Sequence, residues 1–253
     1  MNPVALMKEV VRPYWRQGKH AMLPRVLRVP QIRVPCEMIG GRENDPDHFG
    51  RLTLNPRLLT RDSVVYAFGI GDDITFDLGL IARFGCHVHA FDPAPDSIAW
   101  AKKQQTPPKW ILHEFGLCDI DGVITLYPPD NPEWVANTVF SRQYSTSTGT
   151  ACPVHRLETI MGMLGHDHID LLKMNIEGGE YAAIEDLLKT RLPVRQLLVS
   201  FHHHFKEIGV VKTLDAIRAL NAIGYYTFST SFNGQEVAFL NTKLASGGAT
   251  LPS

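Results

Sequence analysis

From Val64 onward the chain repeats one pattern: a short apolar run, then a stretch with helical spacing, then another apolar run. The runs are Val64–Phe68, Val88–Phe91, Trp110–Phe115, Ile169–Met174 and Leu197–Phe201. Their compactness suits strands buried on both faces of a parallel sheet. Between them the spacing predicts helices over about 73–84, 95–105, 157–164, 179–189 and 212–223. In the last, Leu214, Ile217 and Leu220 recur at helical intervals and Gly224 supplies a stop. Strand alternating with helix implies right-handed βαβ units, hence a doubly wound, mostly parallel α/β fold.

The C-terminal part breaks this rhythm. Tyr225–Thr230 and Glu236–Leu240 are two β-rich runs joined across Asn233-Gly234, a hairpin turn signal. A hairpin joins antiparallel strands, so one strand of the sheet should run in reverse. Val123–Tyr127, after the Asp121-Gly122 turn, is expected to be a further hairpin element. Pro128–Thr150, rich in proline, serine and threonine, reads as an excursion above the sheet, where substrate contacts commonly lie. Residues 1–60 should hold one N-terminal helix and irregular, proline-rich chain. The division that follows is a basic arm at 1–50 and an α/β domain at 51–253.

Composition narrows the class. With 253 residues, 44% hydrophobic and 20% charged, the chain can bury a large core and is neither disordered nor a disulfide-stapled mini-fold. No apolar run approaches the roughly 20 residues that span a bilayer. Lys8 and Glu9 interrupt the apolar Val4–Met7, so no signal-peptide core is evident. Cys36, Cys86, Cys118 and Cys152 lie too far apart for a zinc knuckle or a C-x-x-C pair, which fits reduced, cytoplasmic cysteines in core or pocket lining. The net charge of −1 hides an asymmetry. Residues 1–35 carry seven basic side chains against Glu9, leaving 18 basic and 25 acidic for the rest. Such a leader can fold over an acidic body or touch a membrane surface peripherally. Without aromatic interleaving, nucleic acid is not an expected partner.

In an open parallel sheet, ligands bind beyond the carboxyl ends of the strands. Phe68-Gly69-Ile70-Gly71-Asp72-Asp73 is a glycine turn opening a helix. A dinucleotide fingerprint would place a third glycine where Ile74 stands, and would set Asp72 and Asp73 against a pyrophosphate of like charge. A cationic nucleoside, S-adenosylmethionine, matches better. Asp72 or Asp73 can also simply cap the helix, worth about 1 kcal/mol. Asp92, ending the second strand, is placed to accept ribose hydroxyls. In Asn175-Ile176-Glu177-Gly178-Gly179-Glu180 a buried strand delivers Asn175 and Glu177 to the rim. His202, His203 and His204 leave the fifth strand together. One imidazole could take a proton from a hydroxyl, whereas three consecutive residues of an extended chain cannot all face one metal ion.

These segments resemble the FkbM family of S-adenosylmethionine-dependent methyltransferases. The longest match runs Ile169-Asp170-Leu171-Leu172-Lys173-Met174-Asn175-Ile176-Glu177-Gly178-Gly179-Glu180. It is joined by Val65–Ile74, Ala90-Phe91-Asp92-Pro93, Asp121-Gly122 with Leu126, and His155-Arg156-Leu157-Glu158-Thr159. The resemblance implies a seven-stranded, Rossmann-like methyltransferase core and a hydroxyl on a sugar, glycolipid or polyketide-type molecule as acceptor. With such a cofactor, Gly69 and Gly71 would admit the methionine portion, Asp72 or Asp73 would hold its ammonium and Asp92 the ribose, Gly116 and Leu117 would border the adenine, and Asn175 would join the cofactor's contacts. His202 or His203 would be the base, with Glu177 in reserve. Two departures stand out: Ala67 and Asn175 occupy positions where related enzymes carry acids. An amide hydrogen-bonds but takes up no proton. A methyltransferase-fold binding module with impaired turnover is therefore the alternative, and an NAD-linked oxidoreductase the remote one.

Overall fold

The computed structural model describes residues 31–41, 51–127, 149–231 and 233–245. The expected N-terminal helix, most of the basic arm and nearly all of the 128–150 excursion lie outside them. Among the described residues β1 (Glu37–Ile39) and β2 (Leu52–Leu54) form a small antiparallel pair. Then follow β3 (Val64–Phe68), α1 (Thr75–Phe84), β4 (His87–Phe91), α2 (Pro95–Ala101), β5 (Trp110–His113), β6 (Gly116–Leu117) and β7 (Gly122–Leu126). The chain continues through β8 (Thr150–His155), α3 (Leu157–Leu164), β9 (Ile169–Met174), α4 (Glu180–Thr190), β10 (Val194–Ser200), α5 (Gly209–Ala222), β11 (Tyr225–Thr230) and β12 (Glu236–Asn241).

The main sheet has seven strands in the order β11-β12-β10-β9-β3-β4-β5. The pairs β3-β4, β4-β5, β3-β9 and β9-β10 are parallel; β12 alone runs in reverse, between β10 and β11. The doubly wound α/β reading therefore holds, with the reversed strand one place in from the edge.

Both faces of this sheet are covered, which is why its strands read as near-continuous apolar runs. Alternation along β3 and β9 sorts the side chains. Tyr66, Phe68, Leu172 and Met174 join one core with Leu157 and Ile160 of α3, Ile184 of α4 and Ile217 and Leu220 of α5. Val65, Ala67 and Leu171 join the other with Phe76 and Leu80 of α1 and Ile39, Leu52 and Leu54 of the β1-β2 pair. On the first face Phe68 and Phe91 stack with ring centroids 4.3 Å apart, worth roughly 1 kcal/mol beyond their burial. On the second, a buried amide exchange seats β2: Asn55 N donates to Gln196 Oε1 at 2.8 Å, and Gln196 Nε2 returns to Asn55 O at 3.2 Å. Residues 31–41, assigned from sequence to the N-terminal arm, thus help close the body; Ile32 packs with Leu240 and Ala245.

Three elements depart from expectation. The third strand stops at His113, and Gly116–Leu117 leaves the main sheet to pair with β8 in a second, three-stranded sheet, β6-β8-β7. β7 indeed pairs antiparallel, but its partner is Thr150–His155, which the sequence did not announce as a strand. Pro153 in mid-run masks it; β6 reaches only Val154 and His155, so Pro153 sits where that side has no partner strand. Of the cysteines, Cys86 and Cys152 are buried as expected, whereas Cys36 is exposed.

Candidate functional site

The carboxyl ends of β3, β4, β9 and β10 meet around the glycine turn. Gly69 has φ +85 and Gly71 φ +55, left-handed values that favour glycine. At Gly69 space matters too: a Cβ there would lie 1.8 Å from the Asn175 carbonyl oxygen. Asn175 N donates to Phe68 O at 3.1 Å, so main-chain atoms hold the β3 and β9 exits together. A Cβ on Gly71 would meet nothing within 4 Å, so the turn is open on that side.

Asp92 closes the turn against β4. Ile70 and Gly71 donate their N–H groups to Asp92 Oδ2 at 2.8 and 3.1 Å, and Ala94 N donates to Oδ1 at 2.9 Å. Burial raises the Asp92 carboxyl, while these amides and Lys173 hold it down in part. A carboxylate has about four lone-pair sites, so three of Asp92's are already engaged. Its first task is to fix the glycine turn, which leaves room for one further hydrogen bond rather than both ribose hydroxyls. Next along the rim, Gly116 packs on Pro93; a Cβ there would come within 2.8 Å of Pro93 Cγ. Leu117 is buried in the main core. Neither aspartate is the cap of α1, whose N-cap is Ile74 with no side-chain capping bond; Asp73 accepts from Thr75 N at 2.8 Å in the turn before it, and Asp72 is exposed.

Beyond Asn175 the chain turns sharply. Glu177 takes φ +51, costly for a residue with a side chain, and Gly178 φ +99. Glu180, fully buried at the start of α4, over-determines this turn. Its Oε1 accepts from Ile176 N at 2.7 Å and its Oε2 from Gly178 N at 3.0 Å. The same Oε1 accepts from His202 Nδ1 at 2.9 Å, and His202 Nε2 reaches Glu177 Oε1 at 3.2 Å. Burial works against charging this imidazole, but Glu180 and Glu177 outweigh it and push the ring up to about 10. Held between Glu180 and Glu177, the ring ties the start of α4 to the turn after β9. His203 is 4% exposed. Of the ion-paired group, Glu177 is the member that reaches solvent, with 23% of its side chain exposed against 9% for His202 and none for Glu180.

Lys173 lies within the long family motif, and the sequence alone gives it no role. The structure shows it as a buried cation of the site. Its Nζ donates to the Gly69 carbonyl at 2.5 Å. It lowers the carboxyls of Asp77, Asp92 and Glu236, each raised foremost by burial. Asp77, which accepts from Trp110 Nε1 at 2.9 Å, is still pushed up to about 6. A charge in mid-strand between Leu172 and Met174 was the available signal, since strands buried on both faces seldom carry one. The His155-Arg156 element is a brace: Arg156 Nη2 donates to buried Asp186 at 2.7 Å, and Asp121 accepts from Arg156 N and Thr159 Oγ1 at the start of α3. Among the described residues no cluster of histidine, cysteine and carboxylate could hold a metal ion, and no helix is long and apolar enough to cross a membrane.

A seven-stranded, doubly wound sheet with a glycine turn at its carboxyl ends defines a Rossmann-like α/β domain. Residues 63–226 match the methyltransferase FkbM domain, and the chain belongs to that family. It is 27% identical over 161 residues to a probable methyltransferase-like protein 24 of Rattus norvegicus and 25% identical over 157 residues to its Homo sapiens counterpart. These matches take in 63% and 61% of this chain but span 37% of the length of either relative. A crystal structure of methyltransferase FkbM from Methylobacillus flagellatus KT aligns with a TM-score of 0.47 at 14% identity, covering 75% of this chain and 46% of that one.

Proposed function

We propose that the chain transfers a methyl group from S-adenosylmethionine to a hydroxyl of a sugar, glycolipid or other small hydroxylated molecule. The observation that carries this reading is the union of Asp92 with the glycine turn, through Ile70 N and Gly71 N, with Asp72 exposed beside it. The donor set suits a ligand with a sulfonium and an ammonium and disfavours a pyrophosphate. Asp72, exposed beside the open side of Gly71, would meet the ammonium, and Asp92 would offer its remaining lone pair to one ribose hydroxyl. When bound, adenosylmethionine supplies a methyl group on an already activated leaving group.

The protein's task is then alignment and removal of the acceptor's proton. Glu177 is the residue we assign to receive that proton, being the accessible member of its cluster. His202 is a positioning residue, holding Glu177 at the rim while Glu180 fixes the turn beneath. Calorimetry with adenosylmethionine and adenosylhomocysteine, followed by a methyl-transfer screen over glycans and small alcohols, tests the reading. Binding of neither nucleoside would overturn it.

Asn175 favours a second reading, a binding module that keeps the cofactor without turnover. Its main chain carries the contact with Gly69, so the fold tolerates the amide whether or not the reaction does. Cofactor binding with no transfer to any acceptor, and turnover appearing in Asn175→Asp, would support that module.

A further inference from the structure

At the amino ends of β3, β4 and β5, across the sheet from the glycine turn, lies a cavity of about 440 Å³. That volume is in the range of small-molecule sites. Its walls come from the residues that lead into each strand: Arg61 and Ser63 before β3, His87 opening β4, and Lys109 before β5, with His89 and His166 behind them. A five-residue strand separates this end from the crevice, on the order of 15 Å. No residue assigned above to cofactor or acceptor takes part.

The lining has one sign of fixed charge in excess. Among the described residues lining the cavity, Arg61 and Lys109 stand against one carboxylate, Asp62, which is 88% exposed and lies 3.9 Å from the Arg61 guanidinium, too solvated to neutralise it. Lys109 Nζ donates to the Gly85 carbonyl and has further N–H donors to offer. The two inner imidazoles are anchored from behind. His89 Nδ1 lies 3.0 Å from His113 Nε2, and His166 Nδ1 lies 2.7 Å from the Tyr66 hydroxyl. Each therefore has Nε2 left for a ligand. Burial, with neighbouring histidines adding to it, holds His89 down to about 4 and keeps His166 below its ordinary value. At neutral pH these rings are uncharged donors or acceptors, and the positive charge belongs to Arg61 and Lys109.

We propose that this cavity is a second binding site, for a small molecule carrying an oxyanion, phosphate or carboxylate, gripped by Arg61 and Lys109 and hydrogen-bonded by His89 and His166. A guanidinium fork beside an ammonium and two imidazole nitrogens is the donor set such a group selects.

The test is a titration of the isotopically labelled full chain with inorganic phosphate and, in parallel, with acetate, at constant ionic strength. The readout is the imidazole resonances of His89 and His166. Saturable shifts in both rings with either anion are expected, and the anion that binds more tightly identifies the group. Arg61→Gln, at a side chain 80% exposed and so harmless to folding, should weaken that binding by about five-fold, and Arg61→Gln with Lys109→Gln should abolish it. Rings that do not move with either anion, shifts that never saturate, or shifts indifferent to Arg61→Gln would each overturn the site. Shifts confined to the glycine turn or the basic arm would do the same.

Discussion

His202 donates from Nδ1 to Glu180 Oε1 at 2.9 Å, inside a site where that carboxylate also accepts two main-chain amides. The pair therefore joins β10 to the turn after β9, and it does so as an imidazolium. Its ring, ordinarily near 6.5, is pushed up to about 10 by Glu180 and Glu177 against the pull of burial.

The sign of the consequence follows from linkage. A group whose folded value is raised stabilises fully below its unfolded value and loses that contribution as pH climbs to the folded one. Thermal stability of the protein should thus decline between about pH 6.5 and 10, and His202→Gln should flatten the decline. Melting curves across that range decide it; a wild-type profile that rises with pH would refute the assignment. Glu180→Gln should cost about 3 kcal/mol in urea denaturation at pH 7, because it removes the buried one of the two carboxylates that offset the imidazolium.

Two neighbouring glycines should respond differently to alanine. Gly69→Ala drives a Cβ into the Asn175 carbonyl and should cost more than about 3 kcal/mol, with loss of cofactor binding. Gly71→Ala meets no atom and carries only the left-handed backbone cost, about 1–2 kcal/mol. Denaturation midpoints of the two variants, measured side by side, check the ordering.

Lys173→Met removes the counter-charge shared by Asp77, Asp92 and Glu236 and the donor to Gly69 O. The expected loss is about 2–4 kcal/mol at pH 7. Part should return near pH 5, where Asp77, pushed up to about 6 even beside the lysine, holds its proton. An equal loss at both values would show that the lysine's packing, not its charge, matters.

Asn175→Asp should leave adenosylhomocysteine affinity within a few-fold of the parent, since the contact with Gly69 is made by main-chain atoms. Methyl transfer should rise by about a hundred-fold under the impaired-turnover reading, the low end of what a positioned proton acceptor contributes, and change little where Glu177 already receives the proton. Calorimetry and a single-turnover transfer assay give the two numbers; a lower rate in the variant would mean that the amide is matched to this acceptor.

The parallel sheet was legible because its strands are buried on both faces and its helices carry their own stops, as with Gly224 after α5. The terminal hairpin was legible for the same kind of reason, Asn233-Gly234 being a local signal. β8 was not, because Pro153 hides a strand whose partner lies about 25 residues earlier. At the site, residue types were readable but their engagement was not. Asp92 reads as an unengaged carboxylate until three amides are seen on it, and His202 as an unengaged imidazole until two carboxylates are seen beside it. Lys173 shows the converse: an odd charge in an apolar run whose meaning depends on Asp77, nearly one hundred residues away in the chain.

The contact between Gly69 and Asn175 divides labour within one residue. Backbone atoms of Asn175 carry the architecture, so the substituent at that position can be exchanged without rebuilding the rim. A lineage can retune reactivity there, trading acid for amide or back again, while the scaffold beneath stays the same.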